Sequence, residues 1–489
     1  MIKIEPIDTS FTYIESPHLE LLKKMLQIEK DNWRYDYLVR IGRASKDVPF
    51  FREHKSGIVV PSGLTDIPAI RELLELPPIE FHQDLQIQQD IQEIIHADLP
   101  FLPRDYQTKA AIESLTKEKC LSIMCTGSGK SLTIAVVLEY FRRKGLKGAL
   151  IVPNINLLTQ FSSDIKDYNL MEVHAGIQKA GDGEKAVELQ EDKFVLITTW
   201  QSMVKLPRDT LEGLDFIICD EVHKFSSECT SQLVIDSKGA RYKLGFTGTL
   251  PASKVQKMTV LGLFGLPNYI ISSSELIKMK LGTPIHIHGI KLHHTAQDAQ
   301  EISNWSEYLD RVKYLIQIPK RNELIAKLSK SLQAKNHGST LILYTLIEHG
   351  EQLYCNITGL SEVPSLPEQK ELGIFFMTGK TKAKDREYMR NAMNDNPQAI
   401  LIANYSLLST GVNIKALRYA IFAAPLKSYT AIVQSLGRGI RVSDNKDIFE
   451  VYDIADHFAN MRTFDNSYRA RKKIYEGQNF DFDERKVKF

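Results

Sequence analysis

Cysteine is scarce: Cys120, Cys125, Cys219, Cys229 and Cys355 are the only five in 489 residues, and no two form a CxxC pair. A scattered, odd-numbered set excludes a disulfide framework and a thiolate zinc site, and implies reduced thiols. Long apolar runs are missing as well. Stretches such as Tyr419 to Leu426 fall far short of the roughly 18 residues that a membrane span needs. The opening MIKIEPIDTS has neither the charged nor the apolar region of a signal peptide. There is little excess charge: 62 basic against 60 acidic residues leave +2. That balance excludes a histone-like polycation but leaves room for a local basic groove. Short tandem repeats and low-complexity tracts are also absent from the sequence. What remains, 43% hydrophobic and 25% charged residues, is the balance of a soluble globular chain, long enough for about three domains.

Residues 1–95 are mixed in character, broken by Pro61, Pro68, Pro77 and Pro78, and HADLPFLPRD reads as a linker. From about residue 104, short β-rich runs alternate with helical patterns: CLSIM, ALIVP, FVLITT, FIICDE and YKLGFTG. The alternation recurs in HIHGIKL, TLILYT, IFFMTG, AILIAN, YAIFAA and IFEVYDI. The first five runs are too uniformly apolar for half-exposed strands and suit a parallel sheet covered on both faces. The expected architecture is α/β: two tandem doubly wound domains, preceded by a small α/β or α+β domain. Expected boundaries are 1–95, 96–283, 284–457, and a helical tail over 458–489. Such sheets bind ligands at the C-terminal ends of their strands.

Three motifs lie at such positions. CTGSGKS, residues 125–131, follows CLSIM and opens a helical run. Its glycines let backbone N–H groups wrap phosphate oxygens, Lys130 would neutralise them, and Ser131 would offer its hydroxyl to Mg²⁺. The strict phosphate-loop pattern asks for glycine where this chain has Met124, so a plain turn between strand and helix is the competing reading. FIICDEVHKF ends a buried strand in Asp220 and Glu221. One carboxylate there can hold Mg²⁺ and its neighbour can activate water. A lone acidic pair would sooner be a solvated strand end, but an upstream phosphate loop shifts the balance. QSLGRGIR places Arg438 and Arg441 three apart, suited to transition-state charge, or to an ordinary basic helix face.

In this order the motifs resemble those of superfamily 2 helicases and translocases, across roughly residues 104–457. The resemblance implies two RecA-like domains with ATP and Mg²⁺ between them. RDYQTKA resembles the Q motif, with Arg104 and with Gln107 reading adenine. Thr126, Gly127, Ser128, Gly129, Lys130 and Ser131 form motif I, and Gly411 would also touch nucleotide. DEVH is motif II, with Asp220 and Ser131 on Mg²⁺ and Glu221 on the attacking water. DEVH in place of DEAD leans away from RNA-remodelling relatives. His223 would couple to Thr247 and Thr249 of motif III, TGT, or to Gln434 of motif VI, which also carries Arg438 and Arg441. DNA contacts are implied for Pro153, Asn154 and Gln160 (motif Ia), Thr199 and Gln201 (motif Ib), and Thr345, Thr378 and Thr410 in the second domain. Within the superfamily the chain is most similar to phage recombination helicases of the UvsW type, through STGVNI, the motif IV HG, and the tail after DIADHF with Arg471 and Tyr475. The implied function is ATP-dependent remodelling of branched DNA in the cytoplasm, in a host's if the source is viral, with no membrane partner. An RNA helicase and a duplex translocase without strand separation stay open.

Basic residues outnumber acids nine to five between Lys23 and Lys55, with Trp33, Tyr35, Tyr37, Phe50 and Phe51 among them. Trp33 and Arg43 are the candidates for junction DNA; aromatics of a half-buried domain core are the competing reading. In the tail, Arg469, Arg471, Lys472 and Lys473 read as phosphate contacts or a solvated helix face. His286, His288, His293 and His294 tempt a metal reading, but no Cys/carboxylate set accompanies them in sequence, so a satisfied strand face is expected.

Overall fold

All eleven apolar runs form strands, and each pairs only in parallel. The computed structural model describes the chain except residues 1, 32–38, 40–43, 78, 80–83, 181–188, 226, 252, 406–413, 415, 426–431, 433–446 and 460. It divides into two compact units, Met1–Ile271 and Ser272–Phe489.

The first unit holds a seven-stranded sheet in the order Pro267–Ile271, Lys119–Met124, Tyr242–Thr247, Phe216–Asp220, Gly148–Val152, Val195–Thr199, Ile177–Ala180. Its five central strands are the expected apolar runs. The two edge strands, PNYII and IQKA, are shorter or more polar, because an edge strand is not buried on both faces. A four-stranded antiparallel sheet, ordered Lys3–Pro6, Phe11–Glu15, Gly57–Pro61, Arg52–His54, makes the small α+β element at the N-terminus.

That element shares its core with the large sheet. Ile14, Leu22, Ile58, Val60 and Leu64 pack in one cluster with Leu121, Ile123, Val260 and Phe264. Buried Lys243, on the central strand Tyr242–Thr247, donates to Ser10 Oγ at 2.6 Å and to the Val234 carbonyl at 3.0 Å. Phe50 and Phe51 pack against the same cluster, so these two aromatics of the basic stretch serve the core. The boundary expected at 95/96 falls inside the helix Leu85–Asp98, whose Glu93 and Asp98 pair with Arg143 at 3.0 and 2.6 Å.

The second unit begins at Ser272, ahead of the expected 283/284 boundary. Its sheet runs Ile374–Met377, Ile400–Asn404, Ser339–Tyr344, Leu417–Phe422, Phe449–His457, Ile285–His293, Asp481–Lys488. The tail departs from expectation here. After the helix Thr463–Gly477 the chain turns into an eight-residue strand that pairs in parallel with Ile285–His293. DFDERKVK is too charged to announce itself, but as the outermost strand it has only one neighbour.

Arg471 is neither solvated nor placed to meet phosphate, which corrects both readings of it. Its side chain is 1% exposed, donates from Nε to Asp453 Oδ2 at 2.8 Å and from Nη2 to the Ile454 carbonyl at 3.3 Å, and holds Nη2 in an ion pair 2.8 Å from Asp453 Oδ1. The Tyr475 hydroxyl donates to the same carboxylate at 2.8 Å. A helix face must bury something, and here an arginine is buried because a carboxylate waits in the sheet beneath.

Candidate active site

The loop between the strand Lys119–Met124 and the helix Lys130–Arg143 carries Gly127 and Gly129 at φ 85° and 82°. Any residue with a Cβ is disfavoured there. At Gly129 a Cβ would also overlap the Gln107 side-chain nitrogen. The loop is braced from one side by the start of the helix Asp105–Lys117. Gln107 Nε2 donates to the Ser128 carbonyl at 2.8 Å, and the Tyr106 hydroxyl donates to the same carbonyl at 2.9 Å. Arg104 Nη1 donates to that hydroxyl at 2.9 Å, and the Arg104 N–H donates to Gln107 Oε1 at 2.9 Å. Both ends of the Gln107 amide are thus bonded within the chain, so an adenine contact would have to exchange one of these bonds. The sequence signal for Tyr106 is its place beside Gln107 in RDYQ.

The acidic pair lies across the loop. Glu221 sits at φ 53°, a left-handed conformation costly for a residue with a side chain. Its N–H donates to Asp220 Oδ1 at 2.9 Å. Lys130 Nζ reaches Glu221 Oε1 at 3.2 Å. Burial opposes the charge on Lys130, but Glu221 and Asp220 outweigh it and hold the ammonium above the usual lysine range. Burial and then the Glu221 charge push Asp220 upward. Glu221 is held low against its burial by Lys130 and then by His223.

His223 continues the chain of contacts. Its Nδ1 lies 3.3 Å from Glu221 Oε2 and 3.0 Å from Thr247 Oγ1. Thr247 Oγ1 donates to the Thr249 carbonyl at 2.9 Å, so it accepts from His223 and from the Thr249 N–H. Burial lowers the His223 pKa to about 4 and keeps the ring neutral. Lys130, Glu221, His223, Thr247 and Thr249 thus form one connected path at the C-terminal ends of adjacent strands.

The residues present fit a nucleotide phosphate and a divalent cation. Ser128 Oγ is buried without a hydrogen-bond partner among the described residues. Ser131 and Asp220 face a common cavity of about 30 Å³, with Gln160 on its rim. That is room for one water or ion.

Of the expected DNA contacts among the described residues, Pro153, Asn154, Thr199, Gln201, Thr345 and Thr378 lie at or just beyond strand ends, whereas Gln160 lies inside the helix Ile155–Asp167. Thr199 closes its strand and Gln201 is exposed just beyond. Pro153 is buried, and Asn154 caps the helix Ile155–Asp167 by accepting from the Leu157 N–H at 3.0 Å. In the second unit Thr345 and Thr378 each follow a strand, half-buried. Trp33, Arg43, Thr410, Gly411, Gln434, Arg438 and Arg441 lie outside the described residues.

Two family models each match part of the chain. The type III restriction enzyme res subunit family matches residues 100–252, and the helicase conserved C-terminal domain matches residues 321–443. The "ATP-dependent DNA helicase uvsW" of Enterobacteria phage T4 is 27% identical over 392 residues, covering 80% of this chain and 74% of that one. A type I restriction enzyme EcoAI endonuclease subunit of Escherichia coli is 22% identical, over 70% of this chain and 44% of its own length. Among solved structures, a fragment of a putative HsdR subunit of a type I restriction enzyme from Vibrio vulnificus YJ016 shares the fold. Its TM-score is 0.59 at 16% identity, covering 82% of this chain and 71% of that one.

Proposed function

The chain carries the paired domains of a superfamily 2 helicase, and from that premise we propose an ATP-dependent DNA motor that remodels branched DNA, acting on forks and four-way junctions. The observation that carries the reading is the path from Lys130 through Glu221 and His223 to Thr247. It links a phosphate-binding loop to a strand end that belongs to a different motif, as a motor that converts hydrolysis into movement requires. Lys130 and the loop N–H groups would hold the β- and γ-phosphates, and Ser131 and Asp220 would hold Mg²⁺. Bound Mg²⁺ would supply a Lewis acid that draws charge from the phosphates. Glu221, held ionised, would accept the proton of the attacking water. The roles given to Gly411, Gln434, Arg438 and Arg441 rest on their motifs alone. The preference for branched DNA is supported by the likeness to the phage helicase.

Lys130→Ala should abolish ATPase activity. Glu221→Gln should bind ATP but turn over at least a hundredfold more slowly. Wild-type turnover by Glu221→Gln would remove Glu221 as the base. Substrate is tested with the full chain, because the N-terminal element shares its core with the first sheet. ATP-dependent conversion of synthetic forks and four-way junctions is expected, with ATPase stimulated by DNA above RNA. A second reading, a duplex translocase without strand separation, is favoured by the match to the res subunit family. It predicts displacement of a triplex-forming strand while junctions stay intact.

A further inference from the structure

Three neighbouring strands of the second unit bring together side chains that sequence keeps almost two hundred residues apart. Ile285–His293 lies between Phe449–His457 and Asp481–Lys488, parallel to both. Alternation along a strand puts His286 and His288 on one face. In register, His286 stands opposite Glu450 and Asp481, and His288 opposite Tyr452 and Asp483. His286 Nε2 and His288 Nδ1 converge on a single oxygen, Asp483 Oδ2, at 2.7 and 2.8 Å. His288 Nε2 faces Glu450 Oε2 at 3.3 Å, and the Tyr452 hydroxyl donates to that oxygen at 3.0 Å. The His288 ring stacks on Tyr452 with centroids 4.7 Å apart. The other Asp483 oxygen, Oδ1, is buried without a hydrogen-bond partner among the described residues, with Arg485 Nε 3.9 Å away.

We propose that His286, His288 and Asp483 form a binding site for a divalent transition-metal ion of the zinc type, which clasps the last strand to the sheet. One potential ligand atom from each lies within 4.8 Å of the others. Two imidazoles and a carboxylate suit Zn²⁺, Co²⁺ or Ni²⁺, whereas Mg²⁺ favours oxygen. Tetrahedral zinc with bonds near 2.0–2.2 Å separates its ligand atoms by about 3.3 Å, so the set must open by about half an ångström. It has the freedom: Asp483 is 38% exposed and lies on the outermost strand, and His286 is 28% exposed. Glu450 supplies the outer contact that orients a ligating histidine. With the Nε2 hydrogen of His288 directed at Glu450, its Nδ1 is left for the ion. Binding replaces the two nitrogen–Asp483 hydrogen bonds with metal bonds. The hydrogen displaced from His288 Nδ1 leaves as a proton to solvent, and that from His286 Nε2 goes to solvent or to Nδ1 of the same ring. Water fills the fourth position.

The cluster sits near the start of its strands, away from the strand ends that carry Thr345 and Thr378. Its consequence is therefore stability of the last strand, since an ion bound only by the folded sheet stabilises it.

The test uses the full chain, stripped with chelator and titrated with Zn²⁺ or Co²⁺ in the presence of millimolar Mg²⁺. One equivalent of Co²⁺ should bind and give the visible absorption of a four-coordinate nitrogen/oxygen site. Zn²⁺ at a hundredfold excess over its Kd should raise Tm by roughly 5–10 °C. His288→Ala and Asp483→Asn should lose that binding, and Glu450→Gln should weaken it roughly 10–100-fold. Hydrogen exchange on the wild-type chain needs no variant: Zn²⁺ should slow amide exchange within residues 285–293, 449–457 and 481–488. Equal Co²⁺ affinity in wild type and His288→Ala, no Tm rise, or protection confined to other strands would each overturn the site. The cluster would then be a hydrogen-bonded strand face only.

Discussion

Replacing Arg321 by Met should destabilise the second unit, by an amount that depends on pH in an opposite sense to ordinary acid denaturation. The Arg321 and Asp456 side chains are both 0% exposed. Arg321 donates to Asp456 from Nε at 2.9 Å and from Nη2 at 3.1 Å, and from Nη2 also to the Ala423 carbonyl at 2.6 Å. His294 Nε2 lies 2.9 Å from Asp456 Oδ1 and is the carboxylate's remaining partner among the described residues. In the wild type, Arg321 and His294 overcome burial and hold Asp456 far below the usual carboxylate range, so it stays ionised between pH 5 and 7. Without the guanidinium, burial drives the Asp456 carboxyl to take up a proton. For a carboxyl with an unfolded value near 3.9, holding that proton at pH 7 costs about 4 kcal/mol, and at pH 5 about 1.5 kcal/mol. The first figure falls within the roughly 3–5 kcal/mol expected on breaking a buried pair. Between pH 5 and 7 the variant's native state then carries more protons than its unfolded state, so the variant gains stability as pH falls. For a unit of this size the loss at pH 7 corresponds to roughly 8–16 °C in Tm. Scanning calorimetry at pH 7, 6 and 5 measures it. Arg321→Met/Asp456→Asn should recover at least half the loss, since no charge is then stranded. A loss below about 1.5 kcal/mol at pH 7, or one that does not shrink at pH 5, would refute the reasoning.

Gly129→Ala, at φ 82° and against Gln107, should weaken binding of a fluorescent ATP analogue at least tenfold with unchanged circular dichroism; unchanged affinity would mean that the loop tolerates distortion. Thr247→Val removes the hydroxyl that joins His223 to Thr249. ATPase kcat should fall less than strand displacement per ATP, and equal falls would deny a coupling role. Burial, then Lys119, lowers the Lys243 pKa to about 7. Its unfolded form keeps its proton to about 10.4, so wild-type stability should rise with pH above 7 by up to about 1.4 kcal/mol per unit. Urea unfolding at pH 7, 8 and 9 should show that slope in the wild type and a flatter one in Lys243→Met.

Local patterning encodes the features of this chain that need only a few adjacent residues. A strand covered on both faces must be apolar throughout, and the runs of that kind, such as CLSIM, ALIVP and AILIAN, are strands, as are HIHGIKL and IFEVYDI, where polar and apolar residues alternate. The loop chemistry of CTGSGKS and the acids of FIICDE are equally local, since a phosphate loop and a strand-end carboxylate each need only a few adjacent residues. Tertiary structure decided everything that depends on which strand neighbours which. Asp481–Lys488 is a sheet strand although DFDERKVK has no apolar run, because its place at the edge leaves one side open. Arg471 is buried although it sits among Arg469, Lys472 and Lys473, because Asp453 lies beneath it. His286 and His288 had no carboxylate near them in sequence. Asp483, 195 residues beyond His288, reaches them through the register of the last strand. Period-two alternation fixes which face a side chain takes, but only the order of strands in the sheet fixes what it meets there.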